Sequence, residues 1–260
     1  ETGERIKTGL HWISSKWYGP WVDTGDAWNF DEVALARLFA MLFANRDRVV
    51  LLSGDIHFGY AVRLDYWARR HFESTTAAAQ PTSHVLAQLT SSALKNADAL
   101  NGPLVWALES KAKIILQEGQ EWAGWNEWPG LLRRAGLLRR DYREPLPDRP
   151  PVVRRVSSDD FAVTGPQHQP DWRYRMDLMR REPAPGFTPP PWFQAGPEIV
   201  GMHNVGIISF EWPGDDAGKA VIQDLYWWPL EAVLPYNASR YLVGLDLQPP
   251  PPDLPIRPAP

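Results

Sequence analysis

The sequence contains no cysteine, which excludes disulfide bonds and thiolate metal ligands. Any metal site must therefore be built from carboxylates, imidazoles and amides. The chain also lacks an apolar run long enough to cross a bilayer, so we expect no membrane span. Neither sign of charge dominates, because 27 basic residues stand against 31 acidic ones and the formal net charge is -4. This balance gives no reason to expect nucleic acid as a partner, and it leaves the cellular compartment open.

The composition is that of a folded chain. Its 260 residues are 44% hydrophobic, enough for one sizeable core or two small ones. The chain begins at Glu1 rather than at a methionine, and we therefore expect it to be one piece of a longer protein.

The residue pattern of the first half of the chain predicts a helix followed by strands. Apolar residues at helical spacing predict a helix from about Asp31 to Ala44. The continuous apolar run Val49–Leu52 predicts a strand covered on both faces. A strand with alternating pattern follows over Tyr60–Tyr66, paired with the strand before it, and another is predicted over His84–Thr90.

The residue pattern of the second half of the chain predicts shorter helices and strands. Pro103 opens a predicted helix through about Gln117. Apolar and charged residues alternate over Trp172–Leu178, which predicts a half-solvated strand. The runs Ile208–Trp212 and Val221–Trp227 flank a polar Pro- and Gly-containing loop and predict a hairpin. Seven prolines in the last twelve residues predict a disordered or extended tail.

The strongest functional signal is Gly54-Asp55-Ile56-His57, which directly follows the buried strand. Asp55 and His57 are two residues apart, so in an extended backbone they project to the same side. Ligands bind at the carboxyl ends of strands in α/β sheets. A carboxylate and an imidazole in that place suit a metal ion. Asp55 either binds the metal directly or orients a ligating imidazole through a hydrogen bond.

Three segments together carry a family resemblance: residues 25–30 (GDAWNF), 51–61 (LLSGDIHFGYA) and 86–96 (LAQLTSSALKN). In this order and spacing they resemble the C-terminal half of PhoD-like metallophosphatases, the alkaline phosphatase D type, within the calcineurin-like superfamily. The resemblance implies an α/β fold: the C-terminal half of a metallophosphatase-type β-sandwich flanked by helices, with a β-rich C-terminal extension. It divides the chain into residues 1–120, the extension 121–247 and a proline-rich tail 248–260.

The same resemblance implies a metal-dependent hydrolase of phosphate esters, acting on a small-molecule monoester or diester. Asp55 and His57 would be catalytic residues and metal ligands. Two metal ions are implied, iron with calcium, or manganese or zinc. The superfamily's earlier ligand motifs, Asp-x-His, Gly-Asp-x-x-(Asp or Tyr) and Gly-Asn-His-(Asp or Glu), do not occur ahead of Gly54 in this sequence. We therefore expect the site to need a missing N-terminal half, and this piece to be inactive alone.

Two further segments are candidates for substrate binding. Ser91 and Ser92 follow a predicted strand, where hydroxyls and amides can hold phosphate oxygens, although capping of a following helix is the interpretation we favour. His203 and Asn204 lie between two glycines, and a substrate-facing role competes with a strand bulge, which we favour because glycine inside a strand pattern commonly marks one.

A different class of function is also open. Among 14 tryptophans, Trp122, Trp125 and Trp128 recur every three residues. They could form an exposed platform, which would make the chain a non-catalytic binding or scaffold module with an aromatic surface. Burial at a sheet edge is the interpretation we favour for them, because large aromatic side chains usually serve burial first.

Overall fold

A computed structural model describes residues 32–54, 59–91, 121–126, 156–157, 169–183, 200, 203–215, 217–228 and 236–251. These ranges contain the helix α1 (Glu32–Phe43) and strands β1 (Arg48–Ser53), β2 (Tyr60–Ala68), β3 (Thr82–Thr90), β4 (Glu121–Gly124), β5 (Val156–Ser157), β6 (Trp172–Leu178), β7 (Glu182–Pro183), β8 (His203–Glu211), β9 (Ala220–Trp228) and β10 (Tyr236–Gly244). The described part is a β-rich fold of two sheets with one short helix.

The first sheet has six strands in the order β1-β3-β2-β6-β4-β5. β1 and β3 are parallel, with Arg48 opposite Val85 and Ser53 opposite Thr90. The remaining pairs of this sheet are antiparallel. Because β1 and β3 run in the same direction, their carboxyl ends meet at one edge of the sheet, which is where the predicted site residues follow.

The second sheet has the order β7-β10-β9-β8 and is antiparallel throughout. β8 and β9 form the predicted hairpin, joined by residues 212–219. Gly218 lies in the left-handed region of the backbone, with φ 76°, a conformation that glycine adopts at little cost. The predicted hairpin is confirmed.

The main core lies between the two sheets. Alternate residues of β2 and β3 meet alternate residues of β9 and β10, and the buried members are Ala61, Val85, Ala87, Leu89, Val200, Val221, Leu225, Tyr241, Val243 and Leu245. The period-2 pattern of strands places every second side chain on this inner face. The two sheets therefore pack face to face.

α1 covers the opposite face of the first sheet. Leu35, Phe39 and Phe43 recur at helical spacing and pack against Tyr66 and Tyr174. Each large apolar side chain that is fully buried in this way contributes about 1.5 to 3 kcal/mol. The predicted helix is confirmed, and β1 follows it after four residues.

Two expectations about strand environment are wrong. β2 does not pair with β1, since it lies between β3 and β6. β1 is not covered on both faces along its length either, because Leu52 is 67% exposed. A local apolar pattern identifies a strand, but it does not specify which strand lies beside it.

The expectation of a half-solvated β6 holds only for part of the strand, because Arg175 and Asp177 keep 44% and 25% of their side chains in solvent whereas Arg173 keeps 4%. Its apolar residues face α1, and the charged residues on the opposite face are partly or fully buried. In β6, Arg173 forms an ion pair with Glu121 at 2.6 Å. On the neighbouring strand β2, Asp65 forms an ion pair with Arg63 at 2.7 Å. Burial of these charges is tolerated because each is paired.

The chain after β10 crosses the first sheet in an extended conformation. Arg63 donates to the carbonyl oxygens of Gly244 and Asp246 at 2.7 and 2.8 Å, and Trp67 Nε1 donates to Gln248 O at 3.0 Å. Gln248, the first residue of the proline-rich tail, is thus held against β2, and residues 252–260 lie outside the described part. No helix in the described ranges is both long and apolar enough to cross a membrane.

Candidate functional site

Two strand ends that precede predicted site residues lie side by side. Ser53 ends β1 and Thr90 ends β3, and the two are register partners. The ladder continues one residue further, since Ser91 N donates to Ser53 O at 3.2 Å. Gly54 and Ser91 therefore leave the sheet together, at the edge where a strand end can present side chains to a ligand.

Hydroxyl and amide groups tie these ends together on the face of the sheet that carries α1. Ser53 Oγ and Thr90 Oγ1 are 2.6 Å apart, and Gln88 Nε2 donates to Ser53 Oγ at 3.0 Å. Burial raises the pKa of Tyr60, and a hydrogen bond with the Thr90 side chain opposes that shift in part. The phenol of Tyr60 is therefore neutral at ordinary pH, and the cluster carries no net charge.

A second set of contacts binds the end of β3 to the other sheet. Ser91 Oγ donates to Asn204 Oδ1 at 2.9 Å, and Asn204 is 2% exposed. Gln223 Nε2 donates to the carbonyl oxygen of Thr90 at 2.9 Å from a fully buried position. The end of β3 is thus fixed from both β8 and β9.

The chain returns to the sheet at Gly59. Gly59 and Val200 exchange two backbone hydrogen bonds, of 2.8 and 2.7 Å, in an isolated antiparallel bridge. A methyl group at Gly59 would lie 2.7 Å from Leu225 Cδ1 and 3.0 Å from Asn204 Oδ1, so the position is closed to larger residues. At Gly54 the nearest atom to such a methyl would be Ser91 O at 3.5 Å, which is an ordinary contact.

The predicted site residues divide into three groups. Asp55, His57 and Ser92 lie outside the described residues. The backbone of His203 begins β8, and its side chain is not among those described. Ser91 and Asn204, separated by 113 positions in the chain, are brought into direct contact.

One local expectation about this site is wrong. No strand bulge occurs at His203 and Asn204 in the described β8–β9 pair, because the register runs unbroken from His203 to Glu211. An irregularity is found instead in β10, between Asn237 and Ser239. The glycine at 206 serves close packing, since a methyl group there would lie 3.1 Å from Gln223 Nε2.

Metal ligation at the site remains a prediction. Within the ranges that the structure describes, no group of three or more His, Asp or Glu side chains is arranged to hold a metal ion. The described neighbours of the site supply hydroxyl and amide oxygens, from Ser53, Thr90, Ser91 and Asn204. A cation there would depend on Asp55, His57 and further ligands.

Sequence reasoning missed Tyr60, Gln88 and Gln223. Gln223 could have been found, since it has the same strand parity as Val221 and Leu225 and so points into the core. A polar side chain on a buried strand face needs a partner, and the partner here is the end of β3. The local sequences around Tyr60 and Gln88 give no comparable signal, because these side chains meet their partners only through the pairing of β1 and β2 with β3.

A second polar cluster lies at the opposite end of β3. His84 is buried, with Nδ1 3.2 Å from Arg46 O and its ring stacked on Phe43 at 4.8 Å. His71 stacks on Tyr66 at 5.7 Å between ring centroids. Because β3 separates this cluster from Ser91, these imidazoles are not part of the candidate site.

The described residues include two of the three regularly spaced tryptophans, Trp122 in β4 and Trp125 directly after it. Trp122 packs against the α1 face of the sheet, and Trp125 is buried. These two side chains do not form an exposed platform, since Trp125 is buried and Trp122 is partly buried, which agrees with the interpretation favoured above. Trp128 lies outside the described residues.

Comparisons with protein-family models, with curated proteins and with solved structures found no match. Any statement about function therefore depends on the residues of this chain and on the geometry around the ends of β1 and β3.

Proposed function

We propose that this chain carries one metal motif of a metal-dependent phosphate ester hydrolase of the PhoD type. The observation that carries the proposal is the meeting of two motif-bearing strand ends. Gly54-Asp55-Ile56-His57 and Thr90-Ser91-Ser92 are remote in sequence, yet Ser53 and Thr90 lie opposite each other at the same edge of a parallel pair. Asn204 joins this edge from the second sheet.

The donor types suit the proposed metal. Asp55 offers oxygen and His57 offers nitrogen, which fit iron, manganese or zinc, with calcium possible where carboxylates dominate. A bound cation would lower the pKa of a coordinated water and stabilise charge at phosphorus. Both donors of Ser91 are already engaged, the hydroxyl with Asn204 Oδ1 and the backbone N–H with Ser53 O, so a contact of Ser91 with a phosphate oxygen would require one of these bonds to open.

The remaining metal ligands are proposed to come from outside these residues, because two side chains cannot complete a two-metal site. The substrate class that follows is a small phosphate monoester or diester. We propose no preference between the two, since no described residue contacts the leaving group.

The direct test uses the longest natural protein that contains this chain. Metal content and hydrolysis of an aryl phosphate are measured for the unaltered protein, for His57→Ala and for Asp55→Asn. We expect a loss of bound metal and a fall in kcat/KM of several orders of magnitude for His57→Ala. Asp47→Asn is the matched control, because that exposed carboxylate precedes β1 and lies at its other end. Equal turnover by His57→Ala and the unaltered protein would reject the proposal.

A binding module is the second candidate, and one observation favours it. Phe210 and Trp212 at the tip of the hairpin are each 57% exposed, with Lys219 Nζ 5.3 Å from the Trp212 ring centroid. Exposed aromatic side chains of this kind are common in recognition surfaces. If the protein neither binds metal nor hydrolyses aryl phosphates, and Trp212→Ala abolishes association with a partner, the binding-module alternative is the correct one.

A further inference from the structure

Arg69, the residue directly after β2, is buried although part of its guanidinium group has no acceptor. Its side chain is 9% exposed, and Nε and Nη1 meet no hydrogen-bond partner among the described residues. A buried donor without a partner costs free energy, and the cost is larger when the group is charged. These two nitrogens therefore indicate that an acceptor belongs beside Arg69.

The carboxylate that contacts Arg69 is already fully used. Asp171 Oδ1 accepts hydrogen bonds from Arg69 Nη2 at 3.2 Å and from Arg70 Nε at 3.1 Å. Asp171 Oδ2 accepts from Arg70 Nη2 at 3.0 Å and from the backbone N–H of Asn126 at 2.7 Å. A carboxylate offers about four lone-pair sites, and these bonds occupy all of them. Asp171 therefore cannot accept from Nε and Nη1 of Arg69 as well.

The carboxylates next along the same strands are paired with other arginines. Asp65 in β2 pairs with Arg63 at 2.7 Å, and Glu121 in β4 pairs with Arg173 of β6. The acceptor that Arg69 lacks is thus not supplied by the part of the chain that the structure describes.

The surroundings of Arg69 are close to solvent. Arg70 keeps 24% of its side chain exposed. The exposed segment 75–80 folds back to Arg69 through a hydrogen bond from Ala78 N to Arg69 O at 2.7 Å. This segment consists of two threonines, three alanines and one glutamine, so no bulky side chain in it blocks the approach of a small ligand.

From these contacts we propose that Arg69 binds a small oxyanion, a carboxylate or phosphate group, at a position that we name the Arg69 site. Such a group is an acceptor that carries negative charge, and the planar guanidinium fork matches its geometry. Asp171 and Arg70 support the site, because they fix Arg69 through Nη2. The site lies at the end of β2 away from Tyr60, which pairs with Thr90 at the candidate functional site. The inference therefore does not depend on the proposed function.

Thermal unfolding of the longest natural protein tests the Arg69 site, with inorganic phosphate or acetate compared with chloride at equal ionic strength. We expect one of the two oxyanions to raise the melting temperature by about 2 to 4 °C at about five times its dissociation constant, because it binds only the folded protein. A rise with acetate identifies a carboxylate site, and a rise with phosphate identifies a phosphate site. No rise with either would show that water alone serves these donors, and the inference would be wrong.

Two variants assign the effect to Arg69. Arg69→Met keeps a long apolar side chain and leaves Arg70 paired with Asp171, and it should weaken oxyanion binding by at least about tenfold because charge-assisted hydrogen bonds are lost. Arg37→Met is the matched control, since that arginine is exposed and its ion pair with Glu73 lies at the surface. An equal rise in melting temperature for Arg69→Met and the unaltered protein would overturn the inference.

Hydrogen exchange in the unaltered protein locates the ligand without any substitution. The oxyanion should slow exchange at the amides of Arg69, Arg70 and Ala78, which are hydrogen-bonded around the site, and leave β8 unchanged. Protection confined to other segments would contradict the proposal, even if Arg69→Met does not fold.

Phosphate would also bind at the ends of β1 and β3 if the proposed function is correct, and His57→Ala separates the two sites. Protection around Arg69 should persist in His57→Ala and disappear in Arg69→Met. The reverse result would place phosphate at the candidate functional site and reject the Arg69 site. If the unaltered protein holds no metal and has no turnover but keeps this protection, only the proposed function fails.

Discussion

Replacement of Asp171 by asparagine tests how the loops at the far end of the first sheet are held. The Asp171 carboxylate is 4% exposed and accepts hydrogen bonds from Arg69 Nη2 at 3.2 Å and from Arg70 Nε and Nη2 at 3.1 and 3.0 Å. Its second oxygen also accepts from the backbone N–H of Asn126 at 2.7 Å. One side chain thus joins the segment after β2 to the segment after β4.

The size of the effect follows from burial of the charge. Asparagine keeps the shape of the side chain but removes the negative charge that faces the guanidinium groups of Arg69 and Arg70. Removal of one member of a buried ion pair costs about 3 to 5 kcal/mol. Because Arg70 keeps a quarter of its side chain in solvent, we expect the lower end of that range, about 3 kcal/mol. For a chain of this size, that corresponds to a fall of about 6 to 12 °C in melting temperature.

Thermal unfolding followed by circular dichroism measures this change. Glu73→Gln is the control, since its ion pair with Arg37 has both side chains 56% exposed and should leave the midpoint unchanged. A melting temperature for Asp171→Asn within the error of the unaltered protein would refute the reasoning that a buried charge holds these segments.

Three other contacts give measurable outcomes. Burial lowers the pKa of His84 and of His71, so folding favours their neutral imidazoles. Their contribution to stability is complete above the unfolded pKa of about 6.5 and declines as pH falls towards the folded pKa, which urea unfolding at a series of pH values will show. Gly218→Ala places a side chain at φ 76° and should lower stability by about 1 kcal/mol in denaturant titrations. Arg63→Ala removes the donor to the carbonyl oxygens of Gly244 and Asp246 and the guanidinium that pairs with the buried Asp65, so hydrogen exchange over residues 245–248 should rise, and should rise more than exchange over β3.

Local pattern was sufficient for the elements themselves. The helical spacing of Leu35, Leu38, Phe39 and Leu42 predicted α1, and the alternation on either side of residues 213–218 predicted the β8–β9 hairpin. Both depend on contacts between residues that are close in sequence. The period of the apolar residues therefore contains the information needed to find them.

Pairing and burial could not be read in the same way. The neighbour of β1 is β3, which is separated from it by the whole of β2, and no residue of β1 encodes that choice. Arg173 was expected in solvent because it is charged, but Glu121 pairs with it inside the sheet. A charged residue in the sequence indicates that its burial would cost free energy. It does not show whether an oppositely charged partner will offset that cost.

The candidate site was predictable in part. Ser91 and Asn204 were singled out separately from their local sequences, and the structure places them in contact. The motif around Gly54 gave no indication that Gly59, five residues later, would be the position with no room for a side chain. That constraint comes from Leu225 in the second sheet, and packing between sheets is not visible in a single strand.

The central claim is that the strand end after Ser53 delivers Asp55 and His57 to a cation that acts on phosphate esters. The most direct measurement is the metal content of the purified longest natural protein and of His57→Ala, determined together with their rates on an aryl phosphate. We predict bound divalent or trivalent metal and turnover in the unaltered protein, with both strongly reduced in the variant. A protein free of metal that shows no turnover after metals are supplied, or a variant equal to the unaltered protein, would contradict the account.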